Sequence, residues 1–210
     1  LRRAGYSTNF IQGGDFAFQN ADRMLDGGDS GLRSDYRTIP CKIDDRSTNI
    51  SANDVYMPDR CVVGAFESWF VAQSGPRAAI IWPHYTHFPY DFDDQRKVVS
   101  GSKEAYIAAL RAVDRNLGQS LDRLAASGAR PVVAIVGDHG DAFGEHGFVM
   151  HGQTVFQEEI GIPMILAGPG VPAGKIDQRL AQIVDIAPTL VSLAGAGRPC
   201  GWQGLSLFGT

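Results

Sequence analysis

The chain has 210 residues, of which 44% are hydrophobic, and a formal net charge of -4. This length and composition predict a globular protein with one sizeable core, and the lack of any long run of Lys and Arg argues against a nucleic-acid partner. No apolar segment reaches the ~20 residues that are needed to cross a bilayer.

The first 57 residues predict little regular structure. LRRAGY has the features of a last helical turn that ends at Gly5, and STNFI follows it as a strand. A strand without an earlier partner indicates that an N-terminal part of the protein precedes this chain. The glycines and Asn/Asp residues of QGGDFAFQNADRML favour turns. Residues 31–57 are polar, so we expect a connection there with one short strand.

Apolar periodicity then predicts two helices. The first begins at Pro58 and ends near QSGP, with four apolar positions on one face: Val62, Phe66, Trp69 and Phe70. The second runs from about Ser102 to Ala126 and stops before Gly128. Its apolar positions recur at spacings of three and four, at Tyr106, Leu110, Val113, Leu117, Leu121 and Leu124. A shorter helix over DIAPTLVSLAG begins at Asp185, whose carboxylate would cap it and would therefore not be catalytic.

Three apolar runs, RAAIIWP, PVVAIV and PMILAG, have the length and continuity of buried strands. Their alternation with helices predicts an α/β fold with a mainly parallel sheet flanked by helices on both faces. Ligands of such sheets bind outside the carboxyl ends of the strands. We therefore expect residues 84–90 and 137–151 to lie on one functional edge.

All five histidines follow two of these strands. Asp138 and His139 come directly after PVVAIV, and a carboxylate beside a neutral imidazole suits Zn²⁺ or Mn²⁺. Taken alone, the pair fits a turn-forming Asp and a surface His equally well. The other histidines are His84, His87, His146 and His151. Histidines near a metal-bound anion can donate hydrogen bonds to its oxygens or protonate a leaving group.

The three cysteines, Cys41, Cys61 and Cys200, are too few for a disulfide scaffold or a zinc ribbon. None has a histidine at ligand spacing. A bridge between Cys41 and Cys61 and a set of unpaired thiols without a role both fit the sequence.

Several motifs in sequence order resemble the C-terminal half of the sulfatase branch of the alkaline phosphatase superfamily. They are DHG at 138, GEHG at 144, EEIGIP at 158, DIAPT at 185 and GLSL at 204. Upstream, HYTHFPYD and LRRAGYSTNF are also similar to segments of these enzymes, and residues 31–76 are the least diagnostic. The resemblance implies an alkaline-phosphatase-like fold. It also implies that residues 1–210 are a single partial catalytic domain, whose N-terminal part with the nucleophile is missing.

The resemblance assigns roles to individual residues. Asp138 and His139 would bind one divalent metal ion (Mn, Zn, Ca or Mg). His87 and His151 would contact the phosphate or sulfate group and assist the leaving group. His146 would bind the substrate or fix its loop by a hydrogen bond. Structural roles are implied for Glu145 and His84, and support of a neighbouring site residue is the alternative for His84.

The implied activity is that of a metal-dependent hydrolase or transferase that acts on sulfate or phosphate esters through a covalent enzyme intermediate. The substrate would be an anionic ester on a lipid headgroup or a glycan, as for enzymes of the lipoteichoic acid synthase, phosphoethanolamine transferase or membrane-linked sulfatase type. The alternative is a non-catalytic binding or regulatory domain of the same fold. The implied location is the periplasm or cell surface, with an anchor outside this chain. Without the nucleophile, the isolated chain would be inactive.

Overall fold

A computed structural model describes residues 1–17, 21–26, 31–41, 47–48, 55–90, 99–197 and 200–208. The chain divides into two compact units, Leu1–Ser127 and Gly128–Thr210, each of which is described by itself. Among the helices in these described ranges, none combines the length and the apolar character needed to span a membrane.

The first unit contains a parallel three-stranded sheet. Its elements are β1 (Ser7–Gln12), α1 (Ala21–Asp26), β2 (Leu32–Ser34), β3 (Ser47–Thr48), β4 (Val55–Tyr56), α2 (Asp59–Ala72), β5 (Arg77–Trp82) and α3 (Lys103–Ala126). β1 lies between β2 and β5, and both pairings are parallel, with Asn9 opposite Leu32 on one side and Ala79 on the other. β3 and β4 form a separate antiparallel pair. The described parts of residues 31–57 therefore contain three short strands where the sequence predicts one.

The parallel order brings three strand ends to one edge of the sheet. Gly13 follows β1, Asp35 follows β2 and Pro83 follows β5. The segment that carries His84 and His87 therefore starts at the carboxyl edge, as the sequence predicts.

Helix α2 packs on β1 and β5 and also against α3. Its buried residues include Val62, Phe66 and Phe70, which agrees with the predicted apolar face. On the opposite face of β5, Ile80 and Trp82 are exposed. The prediction that this strand is fully buried is wrong, because side chains alternate along a strand and α2 covers only one face of it.

Helix α3 begins after Ser102, whose hydroxyl accepts a hydrogen bond from the backbone N–H of Ala105 at 3.1 Å. Its buried face is built mainly from small side chains, which include Ala105, Ala109 and Ala112. Leu110 is 48% exposed, so the predicted leucine face is only partly correct. Small side chains at a contact allow two helices to approach closely, which explains why alanines line the side of α3 that packs.

The second unit combines two antiparallel strand pairs, β6 with β9 and β7 with β8, with short helices. Its elements are β6 (Val133–Val136), β7 (Ala142–Phe143), β8 (Val149–Met150), α4 (Gln157–Ile160), β9 (Met164–Ala167) and α5 (Ile186–Leu193). β6 and β9 are antiparallel, with Val133 opposite Ala167 and Val136 opposite Met164. The predicted α/β class with a parallel sheet is confirmed, but β6 and β9, both predicted for that sheet, form an antiparallel pair of their own. The connection between the two strands contains the β7–β8 hairpin and the four-residue α4, and no long helix of the kind that usually joins parallel strands.

Asp185 has a different structural role from the predicted one. Its carboxylate makes no capping bond to α5. It accepts instead from the backbone N–H groups of Gln182, at 2.9 Å, and Leu205, at 2.8 Å. These bonds lower the pKa of Asp185. The carboxylate therefore joins the start of a 3₁₀ turn to the C-terminal segment.

Cys41 and Cys61 form a disulfide, with their Cα atoms 6.0 Å apart. Cys200 is an exposed free thiol. The structure thus selects the bridged state from the two that the sequence allows.

Candidate metal centre

A short hairpin brings Asp141 and His151 together. β7 and β8 are antiparallel, with Ala142 opposite Met150. Asp141 immediately precedes β7 and His151 immediately follows β8, so the two residues lie side by side at the open end of the hairpin. Nδ1 of His151 is 2.6 Å from Oδ1 of Asp141.

His139 joins this pair from the segment that follows β6. The centroid of its ring lies 3.7 Å from that of His151, and the ring planes are inclined by 31°. Potential ligand atoms of His139, Asp141 and His151 all lie within 4.8 Å of one another. We refer to these three residues as the His-Asp-His cluster.

The hydrogen bonds of both imidazoles leave Nε2 as the acceptor nitrogen. Nδ1 of His139 lies 2.9 Å from the backbone oxygen of Gly140, which can only accept, so Nδ1 carries the proton. Nδ1 of His151 likewise donates to the Asp141 carboxylate. Each neutral ring then presents an unprotonated Nε2, the form that binds a divalent metal. Two imidazoles and a carboxylate suit Zn²⁺ or Mn²⁺.

The structure places Asp138, a predicted ligand, beside His139. Oδ1 of Asp138 accepts from the backbone N–H of His139 at 3.0 Å. Oδ2 of Asp138 lies 3.8 Å from Nε2 of His139. The Asp138 side chain is 64% exposed, whereas that of Asp141 is 8% exposed. Asp138 can therefore reach a cation at His139 from the solvent side, and Asp141 is committed to His151.

Asp141 is not among the site residues that the sequence predicts. One signal was available, since Asp141 lies two residues after His139 in the same strand-end loop. Its contact with His151, however, depends on a hairpin that brings residues ten apart in sequence together. The strands of that hairpin have two residues each, which is too short for periodicity to reveal.

His146 lies outside the cluster, and its ring is fixed by contacts with α4 and with the residue that precedes α4. Its Nδ1 is 2.7 Å from Oε1 of Glu158, and its ring stacks on Phe156 with centroids 4.0 Å apart. Oε2 of Glu145 accepts from the backbone N–H of Phe143 at 2.5 Å. These contacts favour the structural alternative for both His146 and Glu145.

His84 and His87 belong to the first unit. Their rings stack with centroids 4.9 Å apart, and His84 also contacts the ring of Tyr56 at 4.2 Å. Nδ1 of His87 lies 2.7 Å from the backbone oxygen of Phe88. The anion contact of His87 stays a prediction.

A buried carboxylate anchors the turn that carries these histidines. Asp59, at the start of α2, accepts from the backbone N–H groups of His84, at 2.6 Å, and Tyr85, at 3.1 Å. Burial raises the pKa of Asp59 to about 7, against the opposing effect of the two N–H donors. Burial also raises the pKa of Tyr85 to about 12.

The Sulfatase family model matches residues 1–196. The chain belongs to the sulfatase family. Delta 4,5-hexuronate-2-O-sulfatase of Bacteroides thetaiotaomicron is 31% identical over 130 residues, which cover 60% of this chain and 24% of that protein. Choline-sulfatase of Rhizobium meliloti is 30% identical over 107 residues, which cover 50% of this chain and 20% of that protein. The chain therefore matches only about a quarter or less of the length of these relatives.

Solved structures show the same fold. A protein in the alkaline phosphatase superfamily from Vibrio parahaemolyticus superposes with a TM-score of 0.75 at 20% identity, over 100% of this chain and 50% of that one. The lipoteichoic acid synthase LtaP from Listeria monocytogenes superposes with a TM-score of 0.68 at 18% identity, over 98% of this chain and 53% of that one. These likenesses confirm the alkaline-phosphatase-like fold that the motifs imply.

Proposed function

We propose that the whole protein is a metal-dependent enzyme that cleaves or transfers an anionic ester of sulfate or phosphate. The observation that carries the proposal is the His-Asp-His cluster at the end of β6. Relatives named as sulfatases support a sulfate ester as substrate. LtaP shares the fold, so a phosphate ester on a lipid headgroup is the second substrate class to test.

One divalent cation would be held by His139 and Asp138, next to the Asp141–His151 pair. The donor set fits, because Nε2 of His139 and Oδ2 of Asp138 are 3.8 Å apart and both imidazoles have Nδ1 committed to an acceptor. When bound, such a cation supplies positive charge that polarises the ester and activates an oxygen nucleophile.

His151 would act on the substrate anion and the leaving group. Nδ1 of His151 donates to Oδ1 of Asp141 over an N···O distance of 2.6 Å, and this bond fixes the orientation of the ring. In its protonated form, the ring donates Nε2–H to the oxygen that departs with the alcohol. We assign the same type of contact to His87 of the first unit by family resemblance, and we assign His146 the role of fixing the loop.

The oxygen nucleophile would attack sulfur or phosphorus, and the bond to the leaving oxygen would break as that oxygen gains a proton. Water or an acceptor alcohol would then release the covalent intermediate. Cys41 and Cys61 are joined to each other, so neither is available as a nucleophile. We propose that the nucleophile comes from a part of the protein outside this chain.

The proposed location is an oxidising compartment. Structural disulfides persist in the periplasm and at cell surfaces and are rare in the cytosol. The Cys41–Cys61 bridge therefore supports a location in the periplasm or at the cell surface. The membrane anchor of the proposed enzyme would lie outside these residues.

Metal titration tests the proposal. We expect the 210-residue chain to bind Mn²⁺ or Zn²⁺ weakly in calorimetry, because few protein ligands form the site. His139→Ala should abolish this binding, whereas His146→Ala, a change of the same residue type in the same loop, should leave the affinity unchanged. Equal affinity in all three proteins would refute the metal centre and favour a non-catalytic binding domain.

Turnover separates the roles of the two histidines. In the longer protein, His151→Gln should retain the metal and lose hydrolysis of aryl sulfate or aryl phosphate. Loss of the metal in His151→Gln would instead make His151 a ligand. Turnover by the 210-residue chain alone, abolished by His139→Ala, would refute the external nucleophile.

A further inference from the structure

Glu159 is a buried acid whose role the proposed function leaves open. It lies in α4, within the EEIGIP motif, and the residue is 4% exposed. A buried carboxylate is costly unless hydrogen bonds replace its hydration. The identity of its partners therefore shows what this residue does in the fold.

The carboxylate of Glu159 binds the segment directly after His151. Oε2 accepts from the backbone N–H groups of Gln153, at 3.1 Å, and Thr154, at 3.2 Å. Oε1 accepts from the hydroxyl of Thr154 at 2.5 Å. The Thr154 hydroxyl and these backbone donors lower the pKa of Glu159, so the group is ionised at neutral pH.

The backbone of the same residue binds the segment that carries His139 and Asp141. The carbonyl oxygen of Glu159 accepts from the N–H of Gly140 at 2.7 Å. A Cβ atom on Gly140 would lie 2.1 Å from the carbonyl oxygen of Glu158. The peptide between His139 and Asp141 therefore lies directly against α4, at a distance that only glycine permits.

We propose that Glu159 is a positioning residue that holds the two segments of the His-Asp-His cluster together, with its carbonyl group on one segment and its carboxylate on the other. This inference deepens the proposed function and rests on it for the role of the cluster. A glutamine keeps one acceptor oxygen for the two backbone N–H groups, but it removes the negative charge and reverses the bond to the Thr154 hydroxyl, so its hold on this segment is weaker.

Two measurements on the full 210-residue chain test this role. The first is the NMR signal of the Nδ1–H proton of His151, assigned by its absence in His151→Gln, which reports the bond to Asp141 directly. The second is the Mn²⁺ affinity. In Glu159→Gln, we expect the Nδ1–H signal to shift or broaden and the affinity to fall about tenfold, the lower end of the range for residues that orient metal ligands.

The matched control is Asp185→Asn. It also removes a carboxylate that accepts two backbone N–H groups in the same unit, but these belong to Gln182 and Leu205. It should lower stability and leave both the His151 signal and the Mn²⁺ affinity unchanged. Thr154→Val removes one donor to Glu159 and should give smaller changes of the same kind.

Three results would bear on the proposal in different ways. A folded Glu159→Gln protein with an unchanged His151 signal and affinity within about twofold of the parent would overturn it. If Glu159→Gln does not fold, then unchanged readouts in Thr154→Val overturn it instead. Failure of the parent chain to bind Mn²⁺ would refute the proposed function alone, because the His151 signal still tests the positioning role.

Discussion

Removal of the Cys41–Cys61 disulfide should lower the unfolding free energy by about 3 kcal/mol. The two cysteines are 20 residues apart in sequence. In the chain-entropy treatment, closing a loop of this length removes about 11 cal/mol/K from the unfolded chain, which is about 3 kcal/mol at 25 °C. Cys61 lies in the first turn of α2, so the bridge ties the segment after β2 to the helix that packs on the sheet.

The assay combines a thiol count with urea denaturation followed by tryptophan fluorescence. In denaturant without reductant, one thiol should react, that of Cys200, and three should react after reduction. The unfolding free energy of the double variant Cys41→Ser/Cys61→Ser should be about 3 kcal/mol lower than that of the parent. That of the control Cys200→Ser should stay within about 0.5 kcal/mol of the parent. Three reactive thiols without reductant, or an unchanged double variant, would refute the reasoning.

Two further predictions concern Asp59 and Gly140. Because the folded-state pKa of Asp59 is raised from 3.8 to about 7, the stability it contributes is present below pH ~4 and declines as pH rises to 7, by about 4 kcal/mol. The difference in unfolding free energy between the parent and Asp59→Asn should follow this course, and a flat difference would contradict it. Gly140→Ala should weaken Mn²⁺ binding at least tenfold by displacing α4. The control Gly118→Ala, at an open position in α3, should leave Mn²⁺ binding unchanged and raise the unfolding free energy by about 0.5 to 1 kcal/mol. If Gly140→Ala also left Mn²⁺ binding unchanged, the close approach of Gly140 to α4 would be disproved.

Local signals predicted the elements that are long enough to repeat a pattern. Helix α3 has 24 residues, and its bounds, Lys103–Ala126, agree with the range that the sequence predicts. Its buried face was less predictable, because apolar periodicity favours Leu110 over Ala109, and close packing against α2 reverses that preference. Strand β9 was predicted as an element, but its direction depends on the connection from β6 and not on its own residues.

The candidate site was predictable where one rule about strand ends applies. His139 and His151 were expected near one another because both follow PVVAIV, and their rings are 3.7 Å apart. Asp141 was missed because its place depends on a hairpin of two-residue strands. The role of Glu159 was not predicted, although the residue lies in the EEIGIP motif, because its partners are two backbone N–H groups and one hydroxyl, which have no signature in the sequence.

Three carboxylates around this loop differ in what surrounds them, and the differences divide their roles. Asp138 is exposed and keeps Oδ2 near Nε2 of His139, Asp141 is largely covered and bonded to His151, and Glu159 is buried on backbone and hydroxyl donors. The acid with the greatest exposure is thus the one placed to meet a cation, and the two others are already committed to holding the loop. A site whose supporting bonds exist before the ion arrives loses little conformational entropy on binding. The proposed centre should therefore bind its metal without refolding of the loop, and amide hydrogen exchange at residues 139 to 154 should change little when Mn²⁺ is added.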